Sequence, residues 1–168
     1  MFCYQCDQTA KGTGCTVLGV CGKQPDVAAL QDLLIYALMG LSQVATEGRK
    51  VGISDGDVNV FTAKAAFSTL TNVDFDSARF AALIDEAVQK RDQLKEKVRA
   101  AGGRTDLPAG PADFKPRSSE ADLVRQAEAV GLTSYPAHNP DILSLKHTVL
   151  FGLKGVCAYA DHAQILGQ

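Results

Sequence analysis

The sequence has no apolar run that approaches the roughly 18 residues of a membrane-spanning helix, and no charged-then-apolar signal at its start. We therefore expect a chain that does not cross a membrane and that stays in a reducing, cytoplasmic compartment. Neither sign of charge dominates, because 17 basic residues nearly balance 19 acidic ones and leave a net charge of −2. This balance argues against nucleic acid or an anionic membrane as the partner.

The remaining composition is that of an ordinary globular protein, with 46% hydrophobic and 21% charged residues. A chain of this length buries roughly 70% of its unfolded surface, so a sizeable core is expected.

Cysteine is the residue that occurs in a pattern. Four of the five cysteines form a C-x2-C-x8-C-x5-C run near the start of the chain: Cys3, Cys6, Cys15 and Cys21. Glycines lie between them, and glycine permits the left-handed and tight turns that let backbone N–H groups approach cluster sulfurs. Four thiolates on such a backbone can fold around one inorganic centre.

Three interpretations of this run compete. Disulfides need an oxidising compartment, which the missing signal peptide does not favour. A structural zinc site with four cysteines usually has two short knuckles, and only Cys3 and Cys6 form one. An iron–sulfur cluster tolerates irregular spacing after an initial C-x2-C pair.

Several stretches also carry a resemblance to a known family. Met1–Cys6, the Gly14–Thr16 triplet and Gly19–Lys23 resemble the start of the hybrid-cluster (prismane) proteins, whose usual name is hydroxylamine reductase. These proteins are distant relatives of the nickel–iron carbon monoxide dehydrogenases. The likeness continues to Ala78–Phe80 and Gly152–Val156, so it covers essentially the whole chain.

The resemblance implies a function and a cofactor. Short-spaced members of the family carry a cubane [4Fe–4S] cluster, so Cys3, Cys6, Cys15 and Cys21 are expected to bind its iron and to transfer electrons from a redox partner protein. The parent enzyme reduces hydroxylamine, or nitric oxide, at a second, hybrid Fe–S–O cluster. Later domains hold that cluster through cysteines, two glutamates and a histidine, so no catalytic residue is expected here. The alternative is a zinc-stapled helical module that binds a partner without redox activity.

Apolar periodicity predicts an all-α protein. We expect a cluster loop over 1–24, a three-helix bundle over 25–101, a linker over 102–118 and the first helices of an incomplete second bundle over 119–168. The expected helix starts and ends are Pro25 and Gly48, Asp57 and Asn72, Asp76 and Gly102, Ser118 or Ser119 and Gly131, and Asn139–Pro140 for the last helix.

The last predicted helix echoes the first at an offset of 115 residues, with Gly40 matched to Gly155. Mid-helix glycine costs about 1 kcal/mol, so the matched pair indicates a duplication with close helix crossings. The expected second bundle is incomplete, and part of its apolar stripe should stay exposed: Leu145, Val149, Leu150, Leu153, Val156 and Tyr159. We expect this helix to self-associate or to dock on missing C-terminal domains.

Other residue types receive structural interpretations. Cys157 is expected to be a small, half-buried thiol rather than a ligand. His147 and His162 lie about 22 Å apart along one helix and cannot share a metal; they and His138 are expected to have packing or surface roles.

Near the cysteines, Phe2 and Tyr4 could shield a cluster or simply pack, and Lys11 and Lys23 would act weakly on it because exposed lysines are screened. The polar face of the third helix is expected to be solvated: Glu86, Lys90, Arg91, Lys95 and Glu96.

Overall fold

The computed structural model describes residues 1–130 and 139–168. Within these ranges the chain forms five α-helices, and its β structure is one isolated bridge between Cys3 and Cys15. The helices are α1 (Pro25–Lys50), α2 (Gly56–Ser68), α3 (Ser77–Ala100), α4 (Glu120–Val130) and α5 (Pro140–Ile165). The all-α prediction is confirmed. The division into domains stays a prediction, and Gly131 and His138 lie outside the described residues.

Helix α1 is the centre of the fold and packs against α2, α3, α4 and the short 3-10 turn Pro111–Asp113. Leu30, Leu33 and Leu34 are fully buried on it. By length and composition α1 could span a membrane, but 72% of its most apolar window is buried within the protein. A helix that is apolar on all sides is expected at the middle of a core.

The helix starts follow the predicted capping chemistry in most places. Pro25 begins α1, Asp76 accepts a hydrogen bond from the Arg79 N–H at 3.1 Å, and Asn139 accepts one from the Asp141 N–H at 2.8 Å. The cap predicted at Asp57 is wrong. Asp55 caps α2 instead, accepting from the Val58 N–H at 3.2 Å, because only a residue before the first turn can reach its free N–H groups.

Two of the helix ends predicted from the sequence are wrong. Gly48 does not end α1, which continues to Lys50 and is followed by Gly52 in the left-handed region at φ 78°. A Cβ on Gly48 would stand 3.0 Å from Val98 Cγ2, so this glycine serves the packing of α1 on α3. Helix α2 ends at Ser68, four residues before Asn72.

The proline- and glycine-rich segment 102–118 is anchored to the core rather than free over its whole length. Arg91 is only 3% exposed, and its guanidinium donates to the carbonyls of Phe114 at 2.7 Å and Pro111 at 3.3 Å. Lys95 donates to the Ala112 carbonyl at 2.7 Å. The prediction that Arg91 belongs to a solvated face is therefore wrong: a loop without its own ladder needs donors for its buried carbonyls, and Arg91 supplies them.

Helix α5 packs on α2. Its buried side chains are His147 and Lys154, and the partly buried Leu150 packs against the core. The rest of the predicted apolar stripe faces outward, with Leu153 54% and Tyr159 80% exposed. The matched glycines also differ. A Cβ on Gly40 would overlap the carbonyl of Pro111, while one on Gly155 would meet nothing within 4 Å in the described part of the chain. The predicted close crossing therefore exists at Gly40, against the 111–113 turn, and not at Gly155.

We expect Gly40→Ala to destabilise the protein by about 1–3 kcal/mol, because the methyl group must displace buried backbone. Gly155→Ala is the matched control: the same change in an open helical position should stabilise by up to about 1 kcal/mol through helix propensity. Urea unfolding of both variants measures the two values. Equal effects of the same sign would contradict this account of the crossing.

Candidate metal centre

Backbone hydrogen bonds bring Cys3 and Cys15 side by side. The Cys15 N–H donates to the Cys3 carbonyl at 2.8 Å, and the Phe2 N–H donates to the Cys15 carbonyl at 2.9 Å. Between them the chain reverses through a 3-10 turn at Ala10–Gly12, where Lys11 has a φ of 56°. The turn also carries the Thr9 side chain back toward Cys15.

A second turn presents Cys21. The Gly19 N–H donates to the Lys23 carbonyl at 2.8 Å, and the Gly22 N–H donates to the Gly19 carbonyl at 2.8 Å. Gly22 has a φ of 91°, which favours glycine. Cys21 is exposed at the rim of the loop, whereas Cys15 is buried.

The sulfur of Cys15 is surrounded by donors. Hydrogen bonds from the backbone of Ala10 and then of Val20 lower the pKa of the Cys15 thiol, and the Thr9 hydroxyl, 3.7 Å from the sulfur, adds to this effect. Donors to a sulfur stabilise its anionic form. The loop is therefore arranged for a thiolate at this position, the form in which cysteine binds metals.

Lys23 lies beneath the loop and is 1% exposed. Its ammonium donates to Gln31 Oε1 at 2.6 Å, and Gln31 in turn donates to the Asp74 carbonyl at 3.0 Å. Burial lowers the pKa of Lys23, and the charges of Cys3, Cys21 and Cys6 oppose that shift. The expectation that Lys23 is an exposed, screened lysine is wrong, because the turn at Gly19–Gly22 folds its side chain under the loop.

All four cysteines lie within electrostatic range of this one ammonium. Cys3, Cys6 and Cys21 act on the Lys23 pKa, and the Lys23 charge acts on the Cys15 pKa. That the four cysteines surround one centre stays a prediction from their spacing. A buried ammonium within reach of their charges was not predicted.

A second buried lysine reaches the same interior from α5. Lys154 is 1% exposed, and its ammonium donates to the Thr69 carbonyl at 3.2 Å. Burial lowers the pKa of Lys154 to about 8, against the opposing charge of Asp32. Burial likewise raises the pKa of Asp32 to about 6, against Lys154 and Lys23. Neither residue was predicted as part of the site; the available signal was a charged residue within an otherwise apolar helical stretch.

His147 lies on α5 about two helical turns before Lys154. It is buried and forms a hydrogen bond with the Tyr4 hydroxyl. The Phe151 ring stands edge-on to Tyr4 with 6.0 Å between centroids. His147 thus ties α5 to the loop, in agreement with the predicted packing role, and Tyr4 packs rather than facing solvent. His162 packs edge-on against Phe67 at 5.3 Å. Cys157 is half-buried, and burial raises the pKa of its thiol.

The chemistry of the loop suits an iron–sulfur cluster. The cysteines of the described residues are free thiols, and donors surround one sulfur. Gln5 Oε1 is buried with no hydrogen-bond partner in the described part of the chain, and Gln5 lines one cavity with Cys3. Turning its amide over would put NH₂ donors at the position of this oxygen.

Among residues 1–130 and 139–168, no group of three or more His, Cys, Asp or Glu side chains is placed to hold a single metal ion. A cubane cluster takes one thiolate at each iron, so its ligands lie around the cluster and not around one point. The assignment of Cys3, Cys6, Cys15 and Cys21 as ligands stays a prediction.

The fold and the site define an all-α protein with a thiol-rich loop above a buried set of charged side chains. The chain belongs to the prismane/CO dehydrogenase family, whose model matches residues 1–168; proteins of this family are iron–sulfur proteins. The predicted membership is confirmed.

Several relatives are named hydroxylamine reductase. The chain is 62% identical to the one from Syntrophobacter fumaroxidans and 56% identical to the one from Methanocella arvoryzae, with the whole of this chain covered in both cases. It is 54% identical to the one from Solidesulfovibrio magneticus. The chain spans 31%, 31% and 30% of the length of these relatives and matches their N-terminal part.

We expect the loop to need its metal for order, because residues 1–24 bury few large apolar groups and ligand bonds must supply the missing stability. Trypsin should cut after exposed Lys11 in metal-free protein at least tenfold faster than in iron-loaded protein. Cleavage after exposed Arg104, in segment 102–118, provides the internal control and should not depend on the metal. Equal protection of Lys11 in both forms would refute the prediction.

Proposed function

We propose that Cys3, Cys6, Cys15 and Cys21 bind a [4Fe–4S] cluster, and that the chain transfers electrons as the N-terminal part of a hydroxylamine reductase of the hybrid-cluster type. The observation that carries this proposal is geometric: backbone hydrogen bonds pair Cys3 with Cys15, and the buried ammonium of Lys23 lies beneath the loop that carries all four thiols. Family membership supports the cofactor class, and the donors around Cys15 support a thiolate ligand.

In this proposal the cluster supplies a one-electron store, and the protein controls its surroundings. Cys15 lies on the buried side of the loop and Cys21 on the exposed side. Val17 and Val20, which precede Cys21, are also exposed. An electron-donating redox partner would therefore approach over this rim, where the path from solvent to a ligand is shortest.

The name shared by the relatives suggests the reaction of the whole protein. Reduction of hydroxylamine breaks its N–O bond, consumes two electrons and two protons, and gives ammonia and water. By resemblance this step occurs at a hybrid cluster held by later domains, so this chain would supply electrons and no catalytic residue. A cytoplasmic location fits an oxygen-sensitive cofactor with free thiols.

Replacing a proposed ligand tests the cofactor. Anaerobically purified protein should be brown and contain equal amounts of iron and acid-labile sulfide, since the cubane has four of each. Cys15→Ser should lose most of the colour, because a buried ligand cannot be replaced from solvent. Cys157→Ser is the matched control and should stay brown.

Two outcomes of that experiment would reject the proposal. Colourless wild-type protein that contains zinc would establish the zinc-stapled module instead. A brown Cys15→Ser protein together with a bleached Cys157→Ser protein would show that the ligands were wrongly assigned.

The outward apolar face of α5 marks the proposed partner surface. Leu145, Val149, Leu153 and Val156 are exposed along one side of the helix, and contiguous apolar patches beyond a few hundred Å² usually mark interfaces. The relatives continue well past the matched part, and their remaining chain is the occupant that we propose for this face. In the present 168-residue chain the same face would favour self-association.

Sedimentation at increasing concentration measures that self-association. Leu153→Lys should shift the chain toward monomer, because it places a charge in the centre of the apolar face. Val73→Lys, at an exposed apolar position outside α5, should change nothing. A monomer at all concentrations would reject self-association. Equal hydrogen exchange of α5 in this chain and in a full-length relative would reject coverage by the continuation.

A further inference from the structure

Helix α5 buries charged and polar side chains while much of its apolar surface is exposed. His147 and Lys154, seven residues or about two turns apart on one face, are buried, while four apolar side chains face water: Leu145, Val149, Leu153 and Val156. Burying a lysine costs several kcal/mol of desolvation unless its charge is matched. The side chain is nevertheless enclosed: its ammonium reaches the Thr69 carbonyl and lies 5.6 Å from the centroid of the Phe151 ring.

The charges of this interior do not balance among the described residues. Two ammonium groups enter it, Lys23 from the loop and Lys154 from α5, and both donate to neutral oxygens. Asp32 of α1 is the carboxylate that acts on both. His147 of α5 also faces this side and is hydrogen-bonded to Tyr4 of the loop. Phe151, whose ring centroid lies 5.6 Å from the Lys154 ammonium, packs on Tyr4 and lines one cavity with Cys3 and Asp32. Among these groups two ammonium groups face one carboxylate, so one positive charge is left over beside the cysteine loop.

We propose that Lys154 is a positioning residue for redox chemistry: a buried counter-charge, held by α5, that raises the reduction potential of the iron–sulfur cluster. The inference rests on the proposed function. It assigns control of the cluster's reduction potential to a residue outside the cysteine loop. One-electron reduction makes an anionic cluster more negative. A fixed ammonium in a poorly screened interior stabilises that reduced state more than the oxidised one.

Removing only the charge tests the proposal. Lys154→Met keeps most of the buried stem and removes the ammonium. The matched control is Lys146→Met, because Lys146 lies on the same helix but is exposed. Each anaerobically purified, iron-loaded protein is titrated with a low-potential one-electron reductant and mediator dyes, and the reduced cluster is followed by electron paramagnetic resonance. The reductant loses one electron, the cluster gains it, and no bond is broken.

We expect Lys154→Met to lower the equilibrium constant of reduction at least tenfold, equivalent to about 59 mV for a one-electron couple. Lys146→Met should leave it unchanged, and Lys154→Arg, which keeps the charge, should restore most of the wild-type value. The Lys154→Met shift should also persist as ionic strength rises from about 0.05 to 0.5 M, because salt screens buried charges poorly.

Each remaining outcome also decides the matter. Equal potentials for Lys154→Met and Lys146→Met would overturn the inference while leaving the cluster assignment intact. Loss of iron from Lys154→Met but not from Lys154→Arg would support it, since charge is what the two variants do not share. Loss of iron from both would reduce Lys154 to a packing residue and overturn it. Wild-type protein without iron and sulfide would instead be a failure of the proposed function.

Discussion

Buried positive charge beneath the cysteine loop is the constraint on which the rest of this structure depends. Lys23 and Lys154 enter one interior from opposite ends of the sequence, and Asp32 of the central helix acts on both. Taking an ammonium out of water is costly, so it persists only where surrounding groups recover that cost. The arrangement makes the loop, α1, α2 and α5 one structural unit. The loop is held by polar groups beneath it, since it contributes few large apolar side chains of its own.

Helix starts were largely predictable because their chemistry is local. Asp76 and Asn139 cap helices through hydrogen bonds that span two or three residues, and such bonds leave a signature in the sequence. Errors arose where two local solutions were equivalent, as with Asp55 and Asp57, or where a residue served a distant element. Gly48 looks like a helix end but makes room for Val98, and Arg91 looks solvated but holds a loop some twenty positions further on. Periodicity reports exposure on average and does not identify such partners.

In the candidate site, too, local features were predictable from the sequence and long-range contacts were not. Cysteine spacing predicts which thiols share the loop, because chain connectivity limits how far apart they can lie, and the structure pairs Cys3 with Cys15 through backbone hydrogen bonds. The spacing could not predict Lys154, which meets Thr69 across 85 positions, or His147, which meets Tyr4 across 143. Partners this distant become neighbours only through the packing of α5 on α2. A lysine inside an apolar helical stretch was the visible signal, and by itself it indicates burial without naming what it faces.

The orientation of α5 needs a physical explanation, because the helix buries Lys154 and leaves apolar side chains exposed. Turning the helix over would bury Leu145, Val149, Leu153 and Val156 in place of Leu150 and would release Lys154 to water. Burial of apolar area, at about 25 cal/mol per Å², favours that change. The observed orientation therefore needs compensation on both sides. On the inner side, an anionic group beside the thiols would match the surplus ammonium. On the outer side, a covering surface would recover the area that Leu145 and Leu153 leave exposed. Both compensations are met in the arrangement that we propose, in which α5 lies between a metal-bearing loop and further protein. In that arrangement the outer apolar face of α5 would be covered by the remainder of longer proteins, such as the relative from Syntrophobacter fumaroxidans, of whose length the chain spans 31%, and its inner polar face would belong to the loop.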